Sequence, residues 1–375
     1  MSHSSDHARV FLNGRFLSQR VTGVQRYARE TLACLDELIG REAGDERWTL
    51  LLPRGAERPA LSHIGSAVVG RLHGHAWEQI ELPWHARGGL LVGFGLSGPL
   101  VSRRQIITVH DANVVRMPEA FGWRFRAWYR VLAPRVVGRA ERIVAVSRFS
   151  AAEAVECYRA PPARVRLSTE GWQHLERVSA DDRILDRYAL RDQPFALAVS
   201  SPTPNKNFEA IARAVALLGE AAPRCVVAGG VDHAVFRSGT GLRALQPLGY
   251  ISDRELKALY QHAACFIFPS YYEGFGIPAL EAMACGCPVL ASTAPAVREV
   301  CGDAALYFNP RWPAELAGRM AELFRDSSLA ARMSATGLER ARRYSWMESA
   351  RMNLEVIREA LHAIKPSPAA AGAVA

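Results

Sequence analysis

The strongest constraint on the fold lies in residues 268–289, FPSYYEGFGIPALEAMACGCPV. The apolar run CFIF leads into this stretch, a Gly-Phe-Gly turn follows, and Pro278 stands where a helix can begin without losing a hydrogen bond. Gly286 marks the end of that helix, and another apolar run starts the next strand. A strand, a glycine turn and a helix N-terminus offer free backbone N–H groups and the positive end of a helix dipole. The stretch therefore predicts a phosphate site.

Two carboxylates flank the turn and can face one pocket. Glu273 lies in the loop before the turn, and Glu281 lies in the first turn of the helix. Ionised carboxylates accept hydrogen bonds from hydroxyl groups, and a sugar nucleotide offers sugar hydroxyls, a diphosphate and a ribose diol. The residues alone also allow a second interpretation, in which the stretch is a strand-to-helix turn of some other α/β protein and both Glu residues are solvated.

The whole string closely resembles the signature of the retaining glycosyltransferases of family 4, in which two Glu residues surround a Gly-Phe-Gly turn. By this resemblance, Glu273 and the amides of Gly274, Phe275 and Gly276 would hold the transferred sugar. Glu281 would hold the ribose. The resemblance thus implies a nucleotide-sugar donor site in the second half of the chain.

Three segments of the first half resemble the same family. TGVQRY at 22–27 is similar to its first strand-to-helix loop, where Gly23 would lie by the donor diphosphate or the acceptor. ITVHDANVVRMPEAF is similar to its His-Asp segment, so His110 would sit at the reaction centre; position alone also allows a structural His at a strand end. VRLSTEG resembles the last strand of the N-terminal domain, although the family often has Asn where Glu170 stands.

The donor-side segments follow in the second half. PNKN at 204–207 resembles a Pro-Arg-Lys-Asn stretch of the family, so Lys206 would meet the donor phosphates as a compact cation. Ser200 is a further donor-binding candidate, although this chain lacks the Arg that some members carry near it. Tyr250 and Ile251 lie where the family's backbone meets the base. Asn207 is predicted to cap the following helix.

Length and cysteine content predict a cytoplasmic chain of about two domains. The chain has 375 residues, no long apolar run, and an N-terminus without the apolar region of a signal peptide. Its seven Cys are irregularly spaced, which favours reduced cytosolic thiols. Cys285 and Cys287 have neither a second Cys pair nor a nearby His, so they form a poor zinc site.

The basic charge allows three kinds of partner. The formal net charge is +9 and the pI is about 9.4, which suits nucleic acid, an anionic membrane face or a phosphorylated ligand. The sequence contains no zinc finger, RNP motif or block of Lys and Arg. We therefore predict no nucleic-acid partner.

Residues 93–98, GFGLSG, match the G-x-G-x-x-G spacing of a dinucleotide-binding fingerprint. That fingerprint requires a helix directly after the glycines. Here Pro99 follows, and the next predicted strand starts near residue 105, which leaves no room for the helix. We therefore predict that this loop does not bind a dinucleotide.

Residues 119–139 mix aromatic side chains with Arg. Such a basic amphipathic stretch can lie on an anionic membrane surface. The alternative is a domain helix with its aromatic residues in the core and its Arg residues in solvent. The sequence leaves both interpretations open.

The resemblance spans about residues 9–362 and implies the GT-B fold, an α/β architecture of two doubly wound Rossmann-like domains facing a central cleft. The predicted acceptor-side domain covers 1–175, with a C-terminal helix at about 346–364 packing back on it. The predicted donor domain covers 176–345, and a low-complexity tail at 365–375 is predicted to be disordered.

The resemblance implies a retaining hexosyltransferase that extends a glycan or a lipid-linked oligosaccharide for surface polysaccharide, in the cytoplasm or on the inner face of the membrane. GDP-mannose is the first choice of donor, because WEQIELP and the His-Asp segment resemble mannosyltransferase-like members; GDP- or dTDP-rhamnose and UDP-hexoses follow. No D-x-D is present, so we expect no metal and no cofactor. The alternatives are a sugar-nucleotide epimerase, which would convert the donor without an acceptor, a phosphorylase, and a non-catalytic sugar-binding protein.

Overall fold

Apolar runs such as QIITV and CFIF are buried at every position, as expected for parallel strands that are covered on both faces. The computed structural model describes residues 7–42, 44–199, 203–229 and 245–364. Within these residues the chain forms two units. The first consists of the described residues within Met1–Ala112, Trp123–Glu170 and Trp346–Ala375, and the second of those within Asn113–Gly122 and Gly171–Ser345.

The first unit is built on a seven-stranded sheet of parallel pairs. Its strands are β1 (Ala8–Asn13), β2 (Glu46–Leu52), β3 (Gly65–Val68), β4 (Leu90–Val92), β5 (Gln105–Val109), β6 (Arg142–Ala145) and β7 (Val165–Leu167). Their spatial order is β3-β2-β1-β4-β5-β6-β7. The order reverses between β1 and β4, which makes the sheet doubly wound.

The second unit repeats this plan with six strands among its described residues, again in parallel pairs. These strands are β8 (Phe195–Val199), β9 (Arg224–Ala228), β10 (Leu245–Gly249), β11 (Cys265–Phe268), β12 (Val289–Ser292) and β13 (Ala305–Phe308). Their order is β10-β9-β8-β11-β12-β13, so the reversal lies between β8 and β11. The predicted α/β class with two doubly wound sheets is confirmed.

Helices connect and cover the strands of both units. They are α1 (Gly23–Arg41), α2 (Gly74–Ala76), α3 (Leu82–His85), α4 (Asn113–Arg116), α5 (Trp123–Arg139), α6 (Arg148–Tyr158), α7 (Arg183–Arg187), α8 (Phe208–Leu218), α9 (Asp253–His262), α10 (Ile277–Ala284), α11 (Pro295–Cys301), α12 (Pro313–Arg325), α13 (Ser327–Ala341) and α14 (Trp346–Ile364). A π-helical turn, Trp77–Glu81, joins α2 to α3. Among the described residues, no helix is long and apolar enough to cross a membrane.

Helix α14 is part of the first unit although it follows the second in sequence. The buried amide of Asn353 donates to the Tyr27 hydroxyl at 2.9 Å and to Ser168 Oγ at 2.8 Å. Glu359 on the same helix pairs with Arg166 of β7. Buried hydrogen bonds to residues of α1 and of the segment after β7 therefore fasten this helix to the first sheet. The predicted tail, 365–375, lies outside the described residues.

The aromatic residues at the start of α5 lie at the surface. Trp123, Phe125 and Trp128 are 68%, 40% and 37% exposed. The residues of α5 that enter the core all come from its second half, and they are Leu132, Ala133, Val136 and Val137. The interpretation that places the aromatic residues of 119–139 in the core is therefore wrong for these three side chains.

Candidate active site

The charged groups of the candidate donor site come from two neighbouring strands of the second sheet. Strand β8 leads to a 3-10 turn that ends at Lys206, and β11 leads to the loop that carries Glu273. These strands lie on either side of the reversal of strand order, which is where open α/β sheets bind ligands. Lys206 Nζ lies 2.7 Å from Glu273 Oε1. The side chains are 20% and 12% exposed, so the ion pair is shielded but still reachable.

Asn207 holds the two loops together. Its amide Nδ2 donates to the carbonyl of Pro269 at 3.0 Å and to the carbonyl of Pro310 at 2.8 Å. Its backbone adopts a left-handed conformation with φ of 53°, which Asn tolerates better than most residues. Asn207 does stand at the N-cap of α8, as predicted, but its side chain makes no capping hydrogen bond. Its side chain instead fixes Lys206 relative to the loop after β11.

The Gly-Phe-Gly turn directs the chain into α10. Gly276 is the N-cap residue and has φ of 111°, a conformation that side chains strongly disfavour. A Cβ at this position would also lie 3.2 Å from the ring of Phe268. Pro278 is the second residue of the helix, one position after the predicted start. The geometry places the N-terminus of α10 directly after Glu273, and the first amides of a helix have no intrahelical acceptors.

Glu281 is the fifth residue of α10, so it lies just beyond the first turn in which it was predicted, and protein groups contact both of its carboxylate oxygens. His174 Nε2 lies 2.9 Å from Oε1, and the Tyr260 hydroxyl donates to Oε2 at 3.0 Å. Burial and the neighbouring carboxylate raise the pKa of Tyr260 well above its usual value, so the phenol stays a hydrogen-bond donor. Each carboxylate oxygen can accept a further hydrogen bond. A contact of Glu281 with ribose is therefore compatible with these bonds, and it remains a prediction.

Two further donor-side candidates follow the edge strand of the same sheet. Tyr250 and Ile251 follow β10 at the edge of the sheet, and Tyr250 is 65% exposed. Ser200 lies outside the described residues. No motif in the sequence points to His174, which lies in a polar stretch before β8.

In the first unit, His110 follows β5 and Glu170 follows β7. His110 Nδ1 lies 3.2 Å from Glu170 Oε1, and His110 Nε2 lies 3.0 Å from the carbonyl oxygen of Phe94, which follows β4. Both ring nitrogens therefore have protein partners, so the predicted contact of His110 with a substrate stays a prediction. Gly23 is the first residue of α1, and Thr22 forms a capping box with Gln25.

A second buried carboxylate of the first unit lies in the π-helical turn. Glu78 Oε1 accepts a hydrogen bond from Asn13 at 2.7 Å and from Ser97 at 3.2 Å, and it lies 3.2 Å from Arg15 Nε. Burial alone would raise the pKa of Glu78, but His75, Arg15 and Asn13 outweigh it and lower the pKa. This charged centre ties the ends of β1 and β4 together at the reversal of the first sheet.

The G-x-G-x-x-G loop at 93–98 is also held by this turn. Gln79 Nε2 donates to the carbonyl of Gly98 at 2.7 Å, and its Oε1 accepts from the amide of Leu100 at 3.0 Å. The element after β4 is β5, so no helix N-terminus follows these glycines. The sequence argument against a dinucleotide fingerprint is confirmed in this respect.

Comparison with known proteins places the chain among sugar-transferring enzymes. The family described as glycosyl transferases group 1 matches residues 182–340. The O-antigen chain mannosyltransferase B of Escherichia coli is 30% identical over 256 residues, which cover 65% of this chain and 67% of that protein. The serotype-specific mannosyltransferase WbdA of Escherichia coli is 31% identical over 236 residues, but these cover only 28% of that longer protein.

Solved structures confirm the fold. The chain is similar to sucrose-phosphate synthase from Thermosynechococcus elongatus with a TM-score of 0.74 over 95% of this chain and 100% of that chain. The sequence identity is 18%, so this likeness concerns the fold alone. The fold is the GT-B fold, as predicted.

Asn207 provides a test of how the loops are fastened. Asn207→Gly keeps the left-handed backbone and removes both side-chain hydrogen bonds, so we expect a loss of about 1–3 kcal/mol in the free energy of unfolding. Asn207→Ala adds backbone strain and should be less stable than Asn207→Gly. Urea unfolding of the two variants measures both effects. Equal stability of Asn207→Gly and the wild type would contradict the assignment.

Proposed function

The chain belongs to the glycosyl transferases group 1 family, and on that premise we propose that it transfers a hexose from a nucleotide-sugar donor to an acceptor hydroxyl, with retention and without a metal ion. The acceptor is a glycan or a lipid-linked oligosaccharide of surface polysaccharide. The observation that carries the proposal is the Lys206–Glu273 ion pair beside the N-terminus of α10.

The ion pair suits a donor that brings both phosphates and hydroxyls. Without donor, the ammonium of Lys206 and the carboxylate of Glu273 neutralise each other at 2.7 Å. A donor diphosphate competes with Glu273 for the ammonium, and the released carboxylate accepts hydrogen bonds from the sugar hydroxyls. Binding of the donor therefore replaces the ion pair with two sets of contacts. The ammonium contacts the diphosphate, and the carboxylate contacts the sugar hydroxyls.

The proposed chemistry requires stabilisation of the leaving diphosphate. The bond between the anomeric carbon and the donor phosphate oxygen breaks, and the acceptor oxygen bonds to the same face of that carbon. The acceptor proton passes to the leaving phosphate, so no carboxylate nucleophile of the glycosidase type is needed. Lys206 and the first amides of α10 supply positive electrostatic potential to the phosphate as its charge grows. This is the role that a metal ion fills in other transferases.

The remaining donor contacts have less direct support. Glu281 is a candidate for the ribose, because its bonds to His174 and Tyr260 hold the carboxylate in one orientation. Tyr250 and Ile251 are candidates for backbone contacts with the base. GDP-mannose is the first choice of donor, because the two relatives named above are O-antigen and serotype-specific mannosyltransferases.

A lipid-linked acceptor fits the surface of α5. Three exposed aromatic side chains at its start, Trp123, Phe125 and Trp128, share the helix with the exposed residues Arg124 and Arg130. Aromatic rings insert into the headgroup region, and each Arg near an anionic surface contributes about 1 kcal/mol. We propose that this helix lies against the inner face of the cell membrane, where a lipid-linked oligosaccharide would be extended.

Removing either member of the ion pair tests the mechanism. Lys206→Ala and Glu273→Ala should each lower kcat/KM by more than about tenfold, or about 1.4 kcal/mol of transition-state stabilisation. Arg213→Ala is the control, because Arg213 forms an exposed ion pair on α8. The assay measures nucleotide release in the presence of EDTA. Wild-type rates in both site variants would contradict the proposed role of the ion pair. Loss of wild-type activity in EDTA would contradict the proposal that transfer needs no metal ion.

A thermal-shift panel tests the donor. Ligands that bind the native state raise the unfolding temperature by mass action, so GDP and GDP-mannose should raise it more than UDP, dTDP and their sugars. Lys206→Ala should weaken every positive response, because the phosphates are common to all of these ligands. A shift with UDP and none with GDP would end the mannose assignment and leave the transferase assignment in place.

Vesicle sedimentation tests the membrane surface. The protein should bind anionic vesicles at low salt, and binding should fall as salt screens the charges. Arg124→Glu combined with Arg126→Glu should bind less than Arg325→Glu combined with Arg332→Glu, which makes the same charge change in the second unit. Protein that stays in the supernatant at low salt would show that α5 does not bind membranes.

A further inference from the structure

His110 is fixed in position before any substrate arrives. It follows β5, and its side chain is only 12% exposed. Ser150 Oγ donates to its backbone carbonyl at 2.6 Å, and the edge of its ring meets Tyr27 with 4.9 Å between the ring centroids. The ring therefore has one orientation, and the chemistry of its two neighbours decides its protonation.

Both neighbours are hydrogen-bond acceptors. Nε2 lies 3.0 Å from the carbonyl oxygen of Phe94, which can only accept. Nδ1 lies 3.2 Å from Glu170 Oε1, which also accepts when the carboxylate is ionised. A neutral imidazole carries one N–H and can satisfy only one of them. The geometry thus requires a doubly protonated ring, or a neutral ring beside a protonated Glu170.

The surrounding charges favour the doubly protonated ring. Burial by itself lowers the pKa of His110, but Glu170, the Phe94 carbonyl and Asp111 raise it, and the net pKa is raised. Tyr27, the other titratable group against the ring, has its own pKa raised by burial and stays neutral.

We propose that Glu170 is a positioning residue that holds His110 as an imidazolium, so that the ring is a fixed cation and not a general base. With both nitrogens protonated, His110 cannot take the proton of an acceptor hydroxyl. That consequence depends on the proposed transfer reaction, whereas the charge of the ring does not.

The pH dependence follows from the direction of the shift. A raised pKa in the folded state means that the charged pair stabilises the fold below the pKa of a free His, near 6.5. That stability is lost as the pH rises through the folded pKa of His110. Glu170→Gln removes the negative partner, so His110 should lose its proton at a lower pH.

NMR of the full-length protein with ¹⁵N-labelled His, recorded without substrate, tests the charge directly. The His110 ring signals are assigned with His110→Asn, and the ring is titrated across neutral pH. We expect two protonated nitrogens in the wild type at pH 7, and a titration midpoint lower by about 1–3 pH units in Glu170→Gln and Glu170→Asn. Glu57→Gln, an exposed carboxylate of the same unit paired with Arg29, should leave the midpoint unchanged. Circular dichroism checks that each variant folds.

Two results would overturn the proposal. One is a neutral His110 ring in the wild type at pH 7, which would place the proton on Glu170. The other is an unchanged midpoint in folded Glu170→Gln. Both are independent of activity, so they are distinguishable from a failure of the proposed transfer reaction. If the ring acts as a cation in that reaction, the alkaline limb of the kcat profile should move to lower pH in Glu170→Gln.

Discussion

The parallel pairing of β8 with β11 is the interaction on which the candidate donor site depends. Parallel strands end at the same edge of a sheet, so the chain that follows β8 and the chain that follows β11 meet there. Lys206 and Glu273 are 67 residues apart in sequence and 2.7 Å apart in space. The reversal of strand order sends the next connections in opposite directions and leaves room for a ligand between them. The opposite charges then hold the two loops in register.

Buried carboxylates that face a histidine occur in both units. Glu78, Glu170 and Glu281 are 1%, 3% and 6% exposed, and a buried carboxylate is costly unless charged or polar groups compensate for it. A histidine faces each of them, at 3.3 Å for His75, 3.2 Å for His110 and 2.9 Å for His174. His110–Glu170 and His174–Glu281 join segments that are far apart in sequence, whereas His75 and Glu78 are three residues apart in one helical segment. In the first two pairs, the need to compensate the charge also fixes the position of the loops that surround the candidate sites.

Arginine has two different uses in this chain. On α14, Arg358 bridges Glu42 and Glu46 of the first unit, which ties a helix from the end of the chain to the beginning of it. On α5, Arg124 lies 5.3 Å from the ring centroid of Trp123 at the surface. The first use leaves no excess positive charge, because two carboxylates face one guanidinium. The second leaves basic charge next to an exposed aromatic ring. The chain has 46 Lys and Arg against 37 Asp and Glu, and this excess of positive charge is therefore not compensated equally at every site.

The sequence by itself determined the α/β class of the fold, the turn at 274–276 and the region where α10 begins, because glycine turns, helix starts and apolar runs depend on residues close to one another in the chain. The candidate roles of Lys206 and Glu273 came from the resemblance of their motifs to family 4. Only the tertiary structure decided what the side chain of Asn207 does, which partners Glu281 has, and that Glu170 faces His110. The exposure of Trp123 and Trp128 belongs to this second group, since a mixed aromatic and basic segment fits either a core or a surface. The physical reason is that these contacts arise between strands and helices far apart in sequence, and no local pattern records which strands become neighbours.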